Sequence, residues 1–352
     1  MEKLKKLLKE FSGAPGISGY EDPVREILAK KLEKLVDEVE IDPLGNVIGI
    51  KKGGRPKVMI AAHMDEIGFM VKHVDENGFI RFTPLGGWFS QVVLSQRVLV
   101  HTEAGPIYGV IGSKPPHVMK EDEKNKAIKL EDMFIDVGAK DKEDAKKMGI
   151  EPGVIITLDR DVVELANDRV TGKAFDDRAG IAMMLRALDY IESDVTVVAV
   201  GTVQEEVGLK GARTSAFGVE PDVAIVTEVG IPADHPGMEK KFSDVKLGEG
   251  PMITVIDAAG RGLITPKKVL EWLKNTAKNN NIPYQLEVAE GGTTDATAIH
   301  LTKKGIPTGV VSVPTRYIHT PVEVLSLADL KNGAILVARA VDTAGEYFGG
   351  DK

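Results

Sequence analysis

Residues 195–203, VTVVAVGTV, make a nearly unbroken run of β-branched and small apolar side chains. A strand with one wetted face alternates apolar and polar residues, so a run without alternation reads as a strand covered on both faces. Such cover calls for helices above and below a sheet, which is the α/β class. Two consecutive glutamates, Glu205 and Glu206, close the run. Adjacent carboxylates repel each other and resist desolvation, and neighbouring strand residues point to opposite faces. The pair needs a physical reason.

Elsewhere strands and helices alternate, with one interruption. The opening MEKLKKLLKEFSG carries charges throughout and lacks the apolar run of a signal peptide, so it reads as a helix. Asp22-Pro23 reads as N-cap and first residue of a helix with apolar positions Val24, Ile27, Leu28, Leu32 and Leu35. Residues 45–50 and 57–62 read as short strands about a Gly53-Gly54 turn. Helices resume at 178–191, and later ones begin at Thr265-Pro266 and at Ser326, where Asp329 completes a capping-box-like start. Strands at 223–226 and 309–313 fall between them.

The interruption runs from Gly68 to Leu165. It holds short strands at 69–74, 79–82, 96–101, 106–111, 134–137 and 154–158, with one helical signal at 141–148. The expected organisation is an α/β domain over 1–67 and 166–352, helices on both faces, with a small β-barrel-like domain at 68–165 inserted in it. Inside the insertion, 114–132 is rich in proline and charge and reads as a long mobile loop.

Composition removes several function classes. The net charge is −8, from 53 acids against 45 scattered bases, so there is no basic footprint for nucleic acid and no polybasic segment for a membrane surface. No stretch approaches 18 uninterrupted apolar residues, which excludes a helical membrane span and makes a cytoplasmic location the expectation. The absence of cysteine excludes disulfides and thiolate metal sites. Few glutamines among many Lys and Glu point to a thermophile.

Polar residues stand where the apolar patterns stop. His63 follows the strand 58–62 in AAHMDEIG, and His319 follows GVVSVP in TRYIHTPVE. Asp176-Asp177 precedes a helix in GKAFDDRAG, Glu205-Glu206 closes one strand, and Glu228 closes VAIVTE. Each has an ordinary explanation alone: a satisfied histidine, a solvated turn, or an acid pair capping a helix. Five together are harder to dismiss, because strand ends in an open α/β sheet converge on one crevice. Two histidines and several carboxylates there suit a divalent metal such as zinc. A dication would neutralise one glutamate outright, and the strand's end lets the chain turn so that both acids reach the site. His73, His101, His117 and His235 keep ordinary roles, and His300 is a lesser candidate for facing substrate.

The motifs AHMDEIG, KAFDDRAG, TVQEEVGLKGA, GGTTDATAIH and PTRYIHTP, in that order, resemble the M42 metallo-aminopeptidases, and within them the archaeal tetrahedral (TET) aminopeptidases. The resemblance covers essentially the whole chain. It implies a mixed-sheet zinc-peptidase fold with a PDZ-like inserted domain for dimerisation, and dimers assembled into a hollow tetrahedral dodecamer. It implies two metal ions, zinc or cobalt, on His63, Asp176, Glu206, Glu228 and His319, with Asp176 bridging. Glu205 is then the general base, and Asp65 the carboxylate that orients His63. Asp177 would follow Asp176 through a strained peptide bond, cis geometry being one form of it. Gly292, Thr294 and Asp295 would line the substrate pocket, although Asp295 serves equally well as a helix N-cap. One position departs from the pattern: the family commonly carries Asp where Glu228 stands, which puts substrate preference in doubt.

On this reading two cations roughly 3.5–4 Å apart acidify a shared water and polarise the peptide carbonyl. Glu205 moves the water's proton to the leaving amine. Short peptides are the expected substrates. The alternatives are a metal-binding assembly protein without catalysis, a related metal-dependent deacylase or carboxypeptidase, and a glycosidase using Glu205 and Glu206. Neighbouring residues are poorly placed to flank a sugar bond from opposite sides, and aromatics are only 5%, too few for a sugar platform.

Overall fold

A computed structural model of the chain describes residues 1–239 and 241–350. Its helices are α1 (Glu2–Gly13), α2 (Asp22–Leu32), α3 (Glu121–Lys124), α4 (Lys142–Lys147), α5 (Phe175–Tyr190), α6 (Lys210–Val219), α7 (Lys267–Asn279), α8 (Ala296–Ile299) and α9 (Leu327–Phe348). Strands β1 (Glu38–Ile41), β2 (Val47–Lys51) and β3 (Gly54–His63) come first. A second group follows: β4 (Gly68–Val74), β5 (Ile80–Leu85), β6 (Arg97–Thr102), β7 (Gly105–Gly112), β8 (Phe134–Asp136) and β9 (Ile155–Leu158). The last are β10 (Val163–Glu164), β11 (Arg169–Gly172), β12 (Val195–Thr202), β13 (Val223–Gly230), β14 (Met252–Ile256), β15 (Gln285–Val288), β16 (Thr308–Arg316) and β17 (Glu323–Ser326).

The first and last groups form one mixed sheet in the order β1-β2-β12-β3-β13-β16-β17-β11-β10, with β14 joining β16 and β15 joining β14. Its centre, β12-β3-β13-β16, is parallel throughout. The alternation of β3 shows why these strands read as continuous apolar runs. Val58, Ile60 and Ala62 join the core under α1, α2, α5, α7 and α9, whereas Met59 and Ala61 join a second core under α6 and α8. Both faces are dry.

The middle group closes a separate antiparallel barrel, β4-β5-β8-β7-β6-β9. It has its own core of residues such as Phe69, Ile80, Val98, Ile111 and Ile156, with Phe69 stacked on Trp88 at 4.4 Å between ring centroids. The barrel leaves the sheet just after His63 and returns to it at β10, so it stands beside the C-terminal end of β3.

Local readings fare unevenly. Ser326 accepts the Asp329 N–H at 3.3 Å, and Asp141 caps α4 by accepting from Asp144 N at 2.8 Å. Asp22 is inside its helix rather than at the cap. Glu21 holds the cap position with no capping bond, its carboxylate accepting instead from Gly19 N and Gln204 N. Helix α6 carries no sequence signal strong enough to mark it, because its KGARTSAFGV has two glycines and mostly small residues. Residues 114–132 contain α3 and the single-turn helices Pro116–Val118 and Leu130–Asp132 rather than only loop.

Candidate metal centre

Four parallel strands deliver their C-terminal ends to one edge of the sheet. β3 ends on His63, β13 carries Glu228, and His319 follows β16. β12 stops at Thr202, beside His63 in register, and the chain then turns through Gln204, whose φ is +56°. That turn answers the problem of the adjacent glutamates: neither Glu205 nor Glu206 is any longer in a strand, so both side chains reach the same cleft. The fifth piece is the start of α5, where the Asp176–Asp177 peptide bond is cis and neither residue is helical.

Asp176 sits at the centre of the group. Its Oδ1 is 3.0 Å from His63 Nε2, and its Oδ2 is 3.1 Å from His319 Nε2. His319 Nε2 is also 3.2 Å from Glu206 Oε1, and His63 Nε2 is 3.9 Å from Glu228 Oε1. Two triads result, His63–Asp176–Glu228 and Asp176–Glu206–His319, each with its donor atoms within 4.8 Å of one another. They share Asp176, one oxygen facing each. A further triad of His63, Glu205 and Glu206 overlaps them.

A layer of hydrogen bonds holds this set in place. Asp65 does less for His63 than its spacing implies, because the His63 Nδ1 partner at 3.0 Å is the Asp65 carbonyl, with the carboxylate Oδ1 at 3.5 Å. The carboxylate instead accepts the N–H of Glu205 at 2.9 Å, the N–H of Glu206 at 3.1 Å and the Ser18 hydroxyl at 2.6 Å. Asp65 therefore pins the two-glutamate turn. Glu323 does the same on the opposite side, accepting from Asp176 N and His319 N, each at 3.1 Å. Sequence reading passed over Glu323. Its signal was weak, a glutamate opening a short strand four residues after His319. The barrel approaches as well: a Cβ on Gly86, whose φ is +79°, would stand 3.2 Å from Glu206 Oε2, and one on Gly87 3.1 Å from His319 Nδ1. Only glycine lets that segment lie so near.

The electrostatics are those of an excess of anions. Burial pushes Glu205 and Glu228 well above the ordinary glutamate range, and the charges of neighbouring carboxylates add to it. Burial raises Glu206 as well. Although burial also opposes it, the hydrogen bonds of His319 and His63 hold Asp176 well below the usual carboxylate range. Against its own burial, contact with Asp176 and Glu206 pushes His319 up to about 11. Imidazole nitrogens and carboxylate oxygens crowded in this way suit divalent zinc, cobalt or a similar ion, whose charge relieves the repulsion.

The cluster opens into a cleft of ≈ 690 Å³. Gly292 and Thr294 line it, as the GGTTD motif suggested, but Asp295 does not. Asp295 is fully buried with its carboxylate on the Thr202 hydroxyl, makes no capping bond to α8, and is pushed up to about 6 by burial. His300 points back to the Ala296 carbonyl at 2.9 Å and is not part of the cleft wall. Asp257 and Glu287, which the sequence reading did not single out, do line it.

Known proteins resemble the chain throughout its length. The profile of the family described as M42 glutamyl aminopeptidase matches residues 45–336. The lysyl aminopeptidase of Pyrococcus furiosus is 37% identical over 341 residues, covering 95% of each protein. An aminopeptidase from the archaeon Desulfurococcus kamchatkensis superposes with a TM-score of 0.94 at 46% identity, covering 99% of this chain and 98% of that one. A TET aminopeptidase from a marine-sediment Thaumarchaeota archaeon gives 0.93 at 41% identity, covering 97% and 96%. The TET1 peptidase of Pyrococcus horikoshii, which can assemble into a tetrahedron or a large octahedral shell, gives 0.85 at 33% identity, covering 96% and 98%.

Proposed function

The chain belongs to the M42 glutamyl aminopeptidase family, and from that premise we propose that it removes the N-terminal residue of short peptides, using two divalent metal ions and Glu205 as general base. The observation that carries this is the division of labour around Asp176. Its two oxygens serve two separate triads, and Glu205 belongs to neither of those two.

In this reading His63 and Glu228 on one side and Glu206 and His319 on the other would hold the ions, with Asp176 common to both groups. Zinc or cobalt bound there would supply Lewis acidity, activating water and polarising the scissile carbonyl. Glu205 accepts the water's proton and passes it to the departing amine, within reach because the Asp65 carboxylate fixes its backbone. Asp65 and Glu323 keep the ligand-bearing turns in place. The cleft carrying Gly292 and Thr294 receives the substrate's first residue.

Assembly is the second part of the reading. The barrel presents Tyr108 and Val110 on the outer side of β7, 64% and 51% exposed, a surface suited to a second copy. Together with the shell described for the Pyrococcus horikoshii relative, this supports dimers built into a tetrahedral dodecamer. No described helix is long and apolar enough to cross a membrane.

Hydrolysis of aminoacyl-p-nitroanilides before chelation, after it and after metal return tests the activity. Release that disappears and comes back with metal supports the aminopeptidase. Cleavage confined to N-acyl substrates would make it a deacylase, chelator-insensitive sugar cleavage a glycosidase, and no turnover an assembly protein.

A further inference from the structure

The wall of the cleft away from the metal cluster is built by strands that carry their side chains to the same face. Glu228 on β13 pairs with Ser312 on β16, Ser312 with Met252 on β14, and Met252 with Gln285 on β15. Thr254 and Glu287 are a cross-strand pair two residues further on, and so share that face. The Thr254 hydroxyl donates to Glu287 Oε2 at 2.7 Å, and the other oxygen, Oε1, would stand 3.4 Å from a Cβ placed on Gly230. Gly230 lies two residues beyond Glu228, about 6.6 Å along the strand. Glu287 Oε1 thus lies near Gly230, beside the Met252 side chain, whose Cε would stand 2.6 Å from the same Cβ.

Charge is distributed unevenly in this wall. Outside the metal cluster, Asp257, Glu287 and Glu290 line the cleft, and among the described residues no Lys or Arg does. Asp257 is 4% exposed, and its Oδ2 has no hydrogen-bond partner among the described residues. Glu287 has only the Thr254 hydroxyl as donor there, and burial pushes it up to about 7. The same lining carries apolar side chains, among them Val229, Ile231, Met238, Phe242 and Ile318. A cleft that combines apolar side chains with carboxylates lacking a basic partner in its lining matches a side chain with a methylene stem and a cationic tip.

We propose that Glu287, supported by Thr254 and Asp257, selects substrates whose N-terminal residue is lysine or arginine. This rests on the aminopeptidase reading, and it runs against the glutamyl preference in the family's description. A substrate carboxylate would meet three acids and no base, a repulsive pairing, whereas an ammonium or guanidinium would give Glu287 the partner that the protein withholds.

Two measurements on the zinc-loaded enzyme test it. The first compares kcat/KM for lysyl-, arginyl-, leucyl- and glutamyl-p-nitroanilide. Lysyl and arginyl substrates should exceed the glutamyl one by roughly tenfold or more, and Glu287→Gln should cut the lysyl-to-leucyl ratio by a comparable factor. A glutamyl preference, or a ratio unmoved in Glu287→Gln, overturns the proposal. The second is calorimetric binding of L-lysine against L-norleucine, which share the stem and differ at the tip. Tighter lysine binding that is levelled in Glu287→Gln supports the pocket, and equal binding in the wild type overturns it. If no anilide is hydrolysed at all, the aminopeptidase reading falls, while the calorimetry still decides the pocket.

Discussion

Glu205 and Glu206 are neighbours in sequence whose surroundings separate them. Both N–H groups point at Asp65, so the backbone treats them alike, but only Glu206 Oε1 stands against His319 and the far side of Asp176. Glu205→Gln should lose roughly 10²–10⁴-fold in kcat, the usual worth of a general base, while keeping its metal. Glu206→Gln replaces an anionic ligand by an amide and should lose metal and activity together. Elemental analysis alongside kinetics decides; the opposite pattern of metal loss would reverse the two assignments. Glu228 stands where the family resemblance leads one to expect the shorter Asp. Glu228→Asp should keep the fold and alter metal preference or substrate ranking, and Glu228→Ala should weaken metal retention further. Unchanged metal content and ranking in both variants would remove Glu228 from the site.

At the scale of elements, the parallel strands and most helices are legible because dry faces leave long apolar runs and caps leave polar punctuation. The polar positions at four strand ends and one helix start are visible for the same reason, since each interrupts a core pattern. What could not be read is anything set by neighbours distant in sequence. Asp65 looks like a histidine partner from its spacing, yet its carboxylate holds a turn 140 residues away. Asp295 does take the N-cap position of α8, yet its side chain turns to Thr202 on β12 instead of capping. Glu323 joins the α5 start to the turn before β17, and no local pattern announces that. Glu323→Ala should leave Asp176 N and His319 N without their acceptor and so lower metal retention under competition with a chelator, at unchanged circular dichroism. Retention equal to the wild type would make Glu323 a bystander. Ser326→Ala, which removes the α9 cap far from the metals, should instead cost about 0.5–2 kcal/mol in denaturant unfolding and leave metal retention alone.

The whole molecule pairs an α/β sheet with a barrel that has its own core and approaches the site through Gly86 and Gly87. That placement allows the barrel to join copies of the chain while shaping each active site. Light scattering should find a particle far larger than a dimer, and short peptides should be cleaved far faster than folded proteins. A stable, fully active monomer would contradict the assembly. A carboxylate shared between two triads, as Asp176 is, calls for two ions for each chain. Titrating zinc or cobalt into the chelated protein, with bound metal and anilide hydrolysis followed together, tests it most directly. Binding should saturate at two ions per chain, with full activity only as the second site fills. Saturation at one ion, or full activity with none, would contradict the account.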